Sequence, residues 1–331
     1  VTLKATPQIH RARQGPLRVH QQRLLLRWRM LGPATRTHHR QGRETRINPE
    51  SHWFDGFESR RFKVNGASIH ARFSQVTLGE PQRPALLLLH GFPQSHVIWH
   101  WVAERLSQSY FLVIPDLRGY GDSSKTPGLP DHSNYSKRNM THDMVAVMDA
   151  LGIDHFFLCG HDRGGRVAHR LDMYNATDMA FARAYYHWFH LIQPAPLPET
   201  MIGGNALAYL HAKLGGWGSS GLGYIEAAAL AEYERCFCTP EAIHSACEDY
   251  RASAGIDLDH DRESRAQQAH DGGKIACDTL VLWGERGVVN KLFKPLAALA
   301  GAVRGPSNGS GPARRSFHSG RIAAANRRST A

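Results

Sequence analysis

Apolar and polar positions change period several times along the chain, and each change marks an element. Residues 60–64 and 68–74 alternate apolar and polar side chains, which predicts two antiparallel strands. Asn65-Gly66 between them has the chemistry of a two-residue hairpin turn. Residues 85–89 are instead a continuous apolar run of strand length, as in a strand covered on both faces. Residues 97–106 read as a helix and 110–114 as a second buried strand. Met140, Met144, Val147, Met148 and Leu151 recur at helical spacing over 139–151, with Gly152 placed to end that helix. A third apolar run, Phe156-Phe157-Leu158-Cys159, follows. This alternation of apolar strand and amphipathic helix predicts an α/β fold with a doubly wound, mostly parallel sheet.

The pattern then changes. Residues 173–253 contain no apolar run of strand type; Ala, Leu, Tyr and Trp recur at helical spacing, broken by the proline-rich stretch 193–199. The expectation is an inserted helical cap over 173–255. It divides the α/β core into 49–172 and 256–300, the second part carrying a strand at 279–284. Beyond residue 299 apolar periodicity disappears, and 301–331 reads as a disordered basic tail.

Cys159-Gly160-His161-Asp162-Arg163-Gly164-Gly165-Arg166 carries the chemistry. An apolar strand rises to a glycine, exposes one polar side chain, then meets two glycines and a helix-forming stretch, the pattern of a nucleophile elbow. Asp162 is at the apex. A carboxylate needs no deprotonation to attack, so an aspartate here suggests displacement at sp3 carbon to form an alkyl ester, which water then hydrolyses with a histidine as base. Upstream, His90-Gly91-Phe92-Pro93 ends the apolar run 85–89, and the loop after that strand supplies an oxyanion-hole amide in hydrolases of this kind. Phe92 is the candidate donor, with Arg163 after the apex as the second. Asp116 to Ser123, rich in glycine and paired charges, reads as a structural loop in which Asp and Arg fix neighbours beside the site.

Charge adds little to that chemistry. Of a net +11 over 331 residues, residues 1–48 carry +10 and 286–331 carry +9, leaving −8 on the body. Basic ends can bind nucleic acid or anionic membrane, but no nucleic-acid module or aromatic interleaving accompanies them, and neither partner is expected. The Arg-rich start has the look of a transit peptide; the simpler expectation is a disordered extension foreign to the protein. Five scattered cysteines fit a reducing cytoplasm, and Cys236 with Cys238 has no second pair at metal-ligand spacing. No metal or cofactor is expected. A homodimer is the assembly the sequence admits.

These strings together resemble a fluoroacetate (haloacetate) dehalogenase of the α/β-hydrolase superfamily over residues 54–300. The resemblance is carried by residues 90–94, Asp116 to Ser123 and Gly160 to Arg166, and in the cap by Tyr186-His187-Trp188, residues 193–199 and Cys247-Glu248-Asp249-Tyr250-Arg251. It implies a small haloacid substrate, Arg163 and Arg166 as carboxylate ligands, and His187, Trp188 and Tyr250 as halide donors. Guanidinium forks suit a carboxylate, and an aspartate beside two of them would face the α-carbon of a short acid. Cations at a helix start are disfavoured, so something anionic should compensate them.

Two departures stand out. Arg170-Leu171 runs straight into Asp172-Met173-Tyr174, which matches the beginning of the cap, so about twenty residues are missing, the length of one strand and its connection. The acid borne on that strand has no counterpart; Asp172 does not take its role, and Glu285 is the substitute to consider. The general-base histidine motif has no counterpart either, leaving His318 in a foreign context, as a frame change would produce. Alkylation without efficient hydrolysis is the expectation. The alternatives are an epoxide hydrolase of the same fold, for which the two arginines would have no purpose, and a non-catalytic binder of small carboxylates.

Overall fold

The structure is a computed structural model and describes residues 2–5, 53–75, 83–168, 177–216, 221–271, 275, 277, 279–283 and 288–293. Asp172, Glu285, His318 and the tail 301–331 lie outside these residues. Among the described residues seven strands form one sheet, in the order β2-β3-β5-β4-β6-β1-β7. They are β1 (Thr2–Ala5), β2 (Phe57–Val64), β3 (Ala67–Ser74), β4 (Ala85–Leu89), β5 (Phe111–Pro115), β6 (Phe156–Gly160) and β7 (Thr279–Val281). The expected mostly parallel sheet is in fact mixed. β4 runs parallel to β5 and β6, while the β2–β3 hairpin joins β5 antiparallel and β1 joins both β6 and β7 antiparallel.

The hairpin forms for the reason its sequence gives. Asn65 and Gly66 both take positive φ, 46° and 71°, the twist a two-residue turn needs. All five residues of β4 are buried, which is why their pattern is continuous and not alternating. Two helices are described between β4 and β6, α1 (His100–Ser107) and α2 (Lys137–Ala150). A 3-10 turn over His96–Trp99 precedes α1, so only the later part of the expected helix is α-helical. Ser136 caps α2 by accepting from Asn139 N, and Gly152 at φ 70° closes it.

Residues 1–48 were expected to lack regular structure, yet β1 lies in the sheet. It lies along the edge of β6 away from β4, where Thr2–Ala5 pairs with Phe157 to Gly160 and satisfies that ladder. Between β6 and β7 the described chain is helical: α3 (Arg163–Ala168), α4 (Met179–Ala184), α5 (Tyr186–Leu191), α6 (Leu197–Gly203), α7 (Ala206–Gly215), α8 (Ala227–Phe237), α9 (Pro240–Ala254) and α10 (Ile256–Asp271). The boundary expected at residue 255 falls between α9 and α10, and α10 packs on both α9 and α2. A last helix, α11 (Val288–Leu292), follows β7. No helix of the described residues is long and apolar enough to cross a membrane.

Asp116, just past β5, fastens the loops around the strand ends. It is fully buried and accepts from the His96 and Asp122 amides at 2.7 and 2.9 Å, and from His70 Nδ1 and His96 Nδ1 at 2.9 and 3.0 Å. Burial alone would raise its pKa, but the two imidazoles hold it well below the usual carboxylate range. The three side chains have metal-ligand chemistry, yet the ligand atoms already bond one another. Arg118 spans Asp143 and the Asn65 carbonyl, so this loop holds its neighbours as its paired charges predict.

Candidate active site

Asp162 stands between β6 and α3 at φ 51°, in the left-handed region that non-glycine residues rarely adopt. The turn is tight enough to demand its glycines. A methyl at Gly160 would collide with the Gly164 carbonyl, and one at Gly164 with the His90 carbonyl. His161 N and Gly164 N donate to Leu89 O and His90 O, which ties the apex to the end of β4. The loop after β4 closes on it. A methyl at Gly91 would meet the Asp162 side chain, and the Phe92 amide donates to Asp162 Oδ1 at 3.0 Å. The Arg163 amide opens α3 directly after the apex.

Around this apex the helices bring together the side chains singled out in the sequence. His187 and Trp188 on α5 and Tyr250 on α9 are all buried. The His187 ring stacks on Phe92 at 5.9 Å and 12° and meets Tyr250 edge-on at 5.8 Å. Trp188 lies 6.4 Å from Tyr250. Both arginines stand over these rings, Arg163 Cζ at 4.0 Å from the Tyr250 centroid and Arg166 Cζ at 4.5 Å from that of Trp188. Burial, aided by Lys213 and Arg163, pushes the His187 pKa down to about 3, so its imidazole is neutral at ordinary pH.

The sequence reading gave both guanidinium forks a substrate carboxylate to hold; in the structure most of the Arg163 fork is engaged within the protein. Its Nε donates to Asp249 Oδ2 at 2.8 Å, and its Nη2 to the Asp249 carbonyl at 2.7 Å and Ser253 Oγ at 2.8 Å. Only Nη1, buried and without a hydrogen-bond partner, remains. The reason is burial: a guanidinium 1% exposed needs a counter-charge, and α9 supplies it. Asp249 also receives the Lys137 ammonium of α2 and, at 2.6 Å, the Tyr120 hydroxyl. Burial alone would raise the pKa of Asp249, but Arg163 and Lys137 hold it well below the carboxylate range.

Sequence reasoning missed two features of this site. Tyr185 packs 5.1 Å from Trp188 and 6.0 Å from His187; burial and the Asp162 charge together push its pKa up to about 12. Nothing in the sequence separates it from its neighbour Tyr186. Asp249 was quoted as part of a string and given no role, although the need to compensate a buried arginine was the signal that could have found it.

A carboxylate on a strained strand-to-helix turn, with an amide from the preceding strand's loop aimed at it, is the site of an α/β hydrolase. The family model described as alpha/beta hydrolase fold matches residues 84–172. The chain is 40% identical over 261 residues to a fluoroacetate dehalogenase from Burkholderia sp, covering 73% of this chain and 82% of that one. It belongs to that family. An epoxide hydrolase of Siraitia grosvenorii is 38% identical over 112 residues, 34% of this chain and 33% of its own. Among solved structures, a candidate α/β hydrolase from Nostoc sp PCC 7120 matches with a TM-score of 0.68 at 44% identity, covering 76% of this chain and 88% of that one. A candidate epoxide hydrolase from Pseudomonas aeruginosa matches with a TM-score of 0.65 at 33% identity, covering 75% and 85%.

Proposed function

We propose that this chain removes halide from a short α-haloacid such as fluoroacetate. The observation that carries the reading is the Phe92 amide on Asp162 Oδ1, with both arginines and all three candidate halide donors gathered at the same apex. Oδ1 is engaged, so Oδ2 attacks. A carbon–oxygen bond forms as the carbon–halogen bond breaks, and the halogen departs with the bonding pair as halide. Neutral His187, Trp188 and Tyr250 donate hydrogen bonds to the leaving ion, the help that poorly departing fluoride needs most. Arg163 Nη1 and the Arg166 guanidinium hold the carboxylate, and their charges prevent ion repulsion between substrate and nucleophile.

The product of this step is an Asp162 ester. Its hydrolysis to glycolate needs a base and a supporting acid, and the sequence offers only His318 and Glu285 in foreign contexts. Ester formation is therefore fast and ester hydrolysis slow in this reading. Intact mass and free-halide release on protein given fluoroacetate or chloroacetate test it. A stable adduct on Asp162 with at most one halide per chain is expected. Continuous release would point to a base not identified above, with His318 the first to replace. Absence of both signals in folded protein would overturn the dehalogenase reading.

Tyr185 and Tyr250 beside the apex favour a second reading, because phenols of that kind could protonate an opening epoxide. Arg166→Met separates the two: it should abolish the haloacid reaction and leave epoxide opening intact.

A further inference from the structure

Beyond His187, the Lys213 ammonium lies near a Tyr209 hydroxyl and a His190 nitrogen that have no hydrogen-bond partner among the described residues. Lys213 on α7 is 5% exposed. Its Nζ stands 3.8 Å from the centre of the Tyr186 ring and 5.9 Å from that of Tyr209. No carboxylate pairs with it among the described residues. Tyr209, one helical turn earlier, has a buried hydroxyl with no hydrogen-bond partner. Its ring lies 6.1 Å from that of His190 on α5, whose Nε2 is also buried and unpartnered. Ring faces attract an ammonium by about 1–2 kcal/mol, well short of what a buried ion loses with its water. Two uncharged donors beside a cation are the makings of an anion site.

Its position gives it a purpose. Tyr186 and His187 are adjacent in the chain, with ring centres 6.1 Å apart. His187 stacks on Phe92, whose amide holds Asp162. Tyr186 is 48% exposed, so Lys213 lies between the buried halide donors and the surface. We propose that Lys213, Tyr209 and His190 form a second station for a small monovalent anion, which receives the halide expelled at Asp162 on its way to solvent. The halide moves as an intact ion, and no bond is made or broken in the transfer. Only the source of the anion rests on the haloacid reading.

The surroundings keep the station cationic near neutral pH. Tyr186, His187 and His190 face it from α5, Tyr209 from its own helix and Cys247, next to Tyr209, from α9. Glu199 of α6 also bears on His190, but its carboxylate is engaged by Arg251 and His244. Burial lowers the Lys213 pKa to about 8, so the ammonium persists below that value and is lost above it.

Equilibrium dialysis of fluoride and bromide, read with ion-selective electrodes from pH 6 to 9.5, tests the station on unreacted protein. Wild type should bind halide in a component lost as pH rises through about 8. Lys213→Met should weaken that component about tenfold, the effect of losing one charged contact. Lys213→Arg should retain it up to pH 9.5. Tyr209→Phe, a milder change that keeps the charge, should weaken it about threefold and serves if Lys213→Met does not fold. Acetate in the same format distinguishes the source: displacement of halide from the Lys213 component would assign the station to an incoming carboxylate and overturn the exit role. Unchanged halide binding in Lys213→Met and Tyr209→Phe would overturn the station itself. Lys213-dependent binding in a protein that forms no Asp162 adduct would leave the station standing and remove the haloacid reading.

Discussion

β4 and β7 belong to one sheet but have unequal support. β4 is buried throughout and paired along both edges, with β5 on one side and β6 on the other. β7 is three residues long and, among the described residues, pairs with β1 alone, and its central Leu280 is 39% exposed. β6 lies between these extremes: it is paired with β4 on one edge and β1 on the other, yet its Phe157 is 40% exposed. What the proposed bond-breaking step uses hangs on β4, β6 and the helices fastened to them. The candidates for ester hydrolysis, Glu285 and His318, come after β7 in the sequence and lie outside the described residues. On the proposed reading, a strand and acid absent after the elbow would weigh on the second step more than on the first.

The sharpest test of that division is Asp162→Asn, which should lower adduct formation and halide release by about 10⁴-fold while the protein stays folded. Retained adduct on the variant would place the nucleophile elsewhere. Next in size, Asp249→Ala leaves Arg163 and Lys137 buried beside an empty place and should cost about 3–5 kcal/mol in urea unfolding. Glu263→Ala, which removes an exposed partner of Arg138, should cost below about 1 kcal/mol. Leu88→Ala on β4 should cost about 2–5 kcal/mol and Leu280→Ala on β7 below about 1 kcal/mol. Equal costs at the two positions would end the contrast between the strands.

The expected effect of pH lies between these sizes. His187 titrates near 3 when folded and near 6.5 when unfolded, so the unfolded chain binds more protons between those values. Stability should fall as pH drops below about 6.5, by about 2 kcal/mol at pH 5 from this group alone. His187→Gln, followed by urea unfolding at the two pH values, should remove that part of the slope.

The elements with a single dominant period were legible in the sequence. The run at 85–89 and the Asn65-Gly66 turn appear where the pattern puts them, because two-sided burial and positive φ leave few alternatives. The elbow was legible because Gly160 and Gly164 have no tolerable substitutes. β1 was not, since residues 1–48 show no sustained apolar period and its place is set by an unpaired edge more than a hundred and fifty residues away. The engagement of Arg163 was illegible for a similar reason. Its partner lies 86 residues later, and sequence spacing shows that two arginines share a face but not which of them is already neutralised.

The junction at Asp249 bears on how the chain can be recombined. Lys137 and Arg163 come from the sheet side and their shared acid from α9, so the helical layer and the sheet are not interchangeable modules. A chimera that took residues 177–271 from a relative without an acid at this place would seal two cations into the junction with nothing to balance them. Such exchanges into this chain should succeed only when positions 137, 163 and 249 travel as a set.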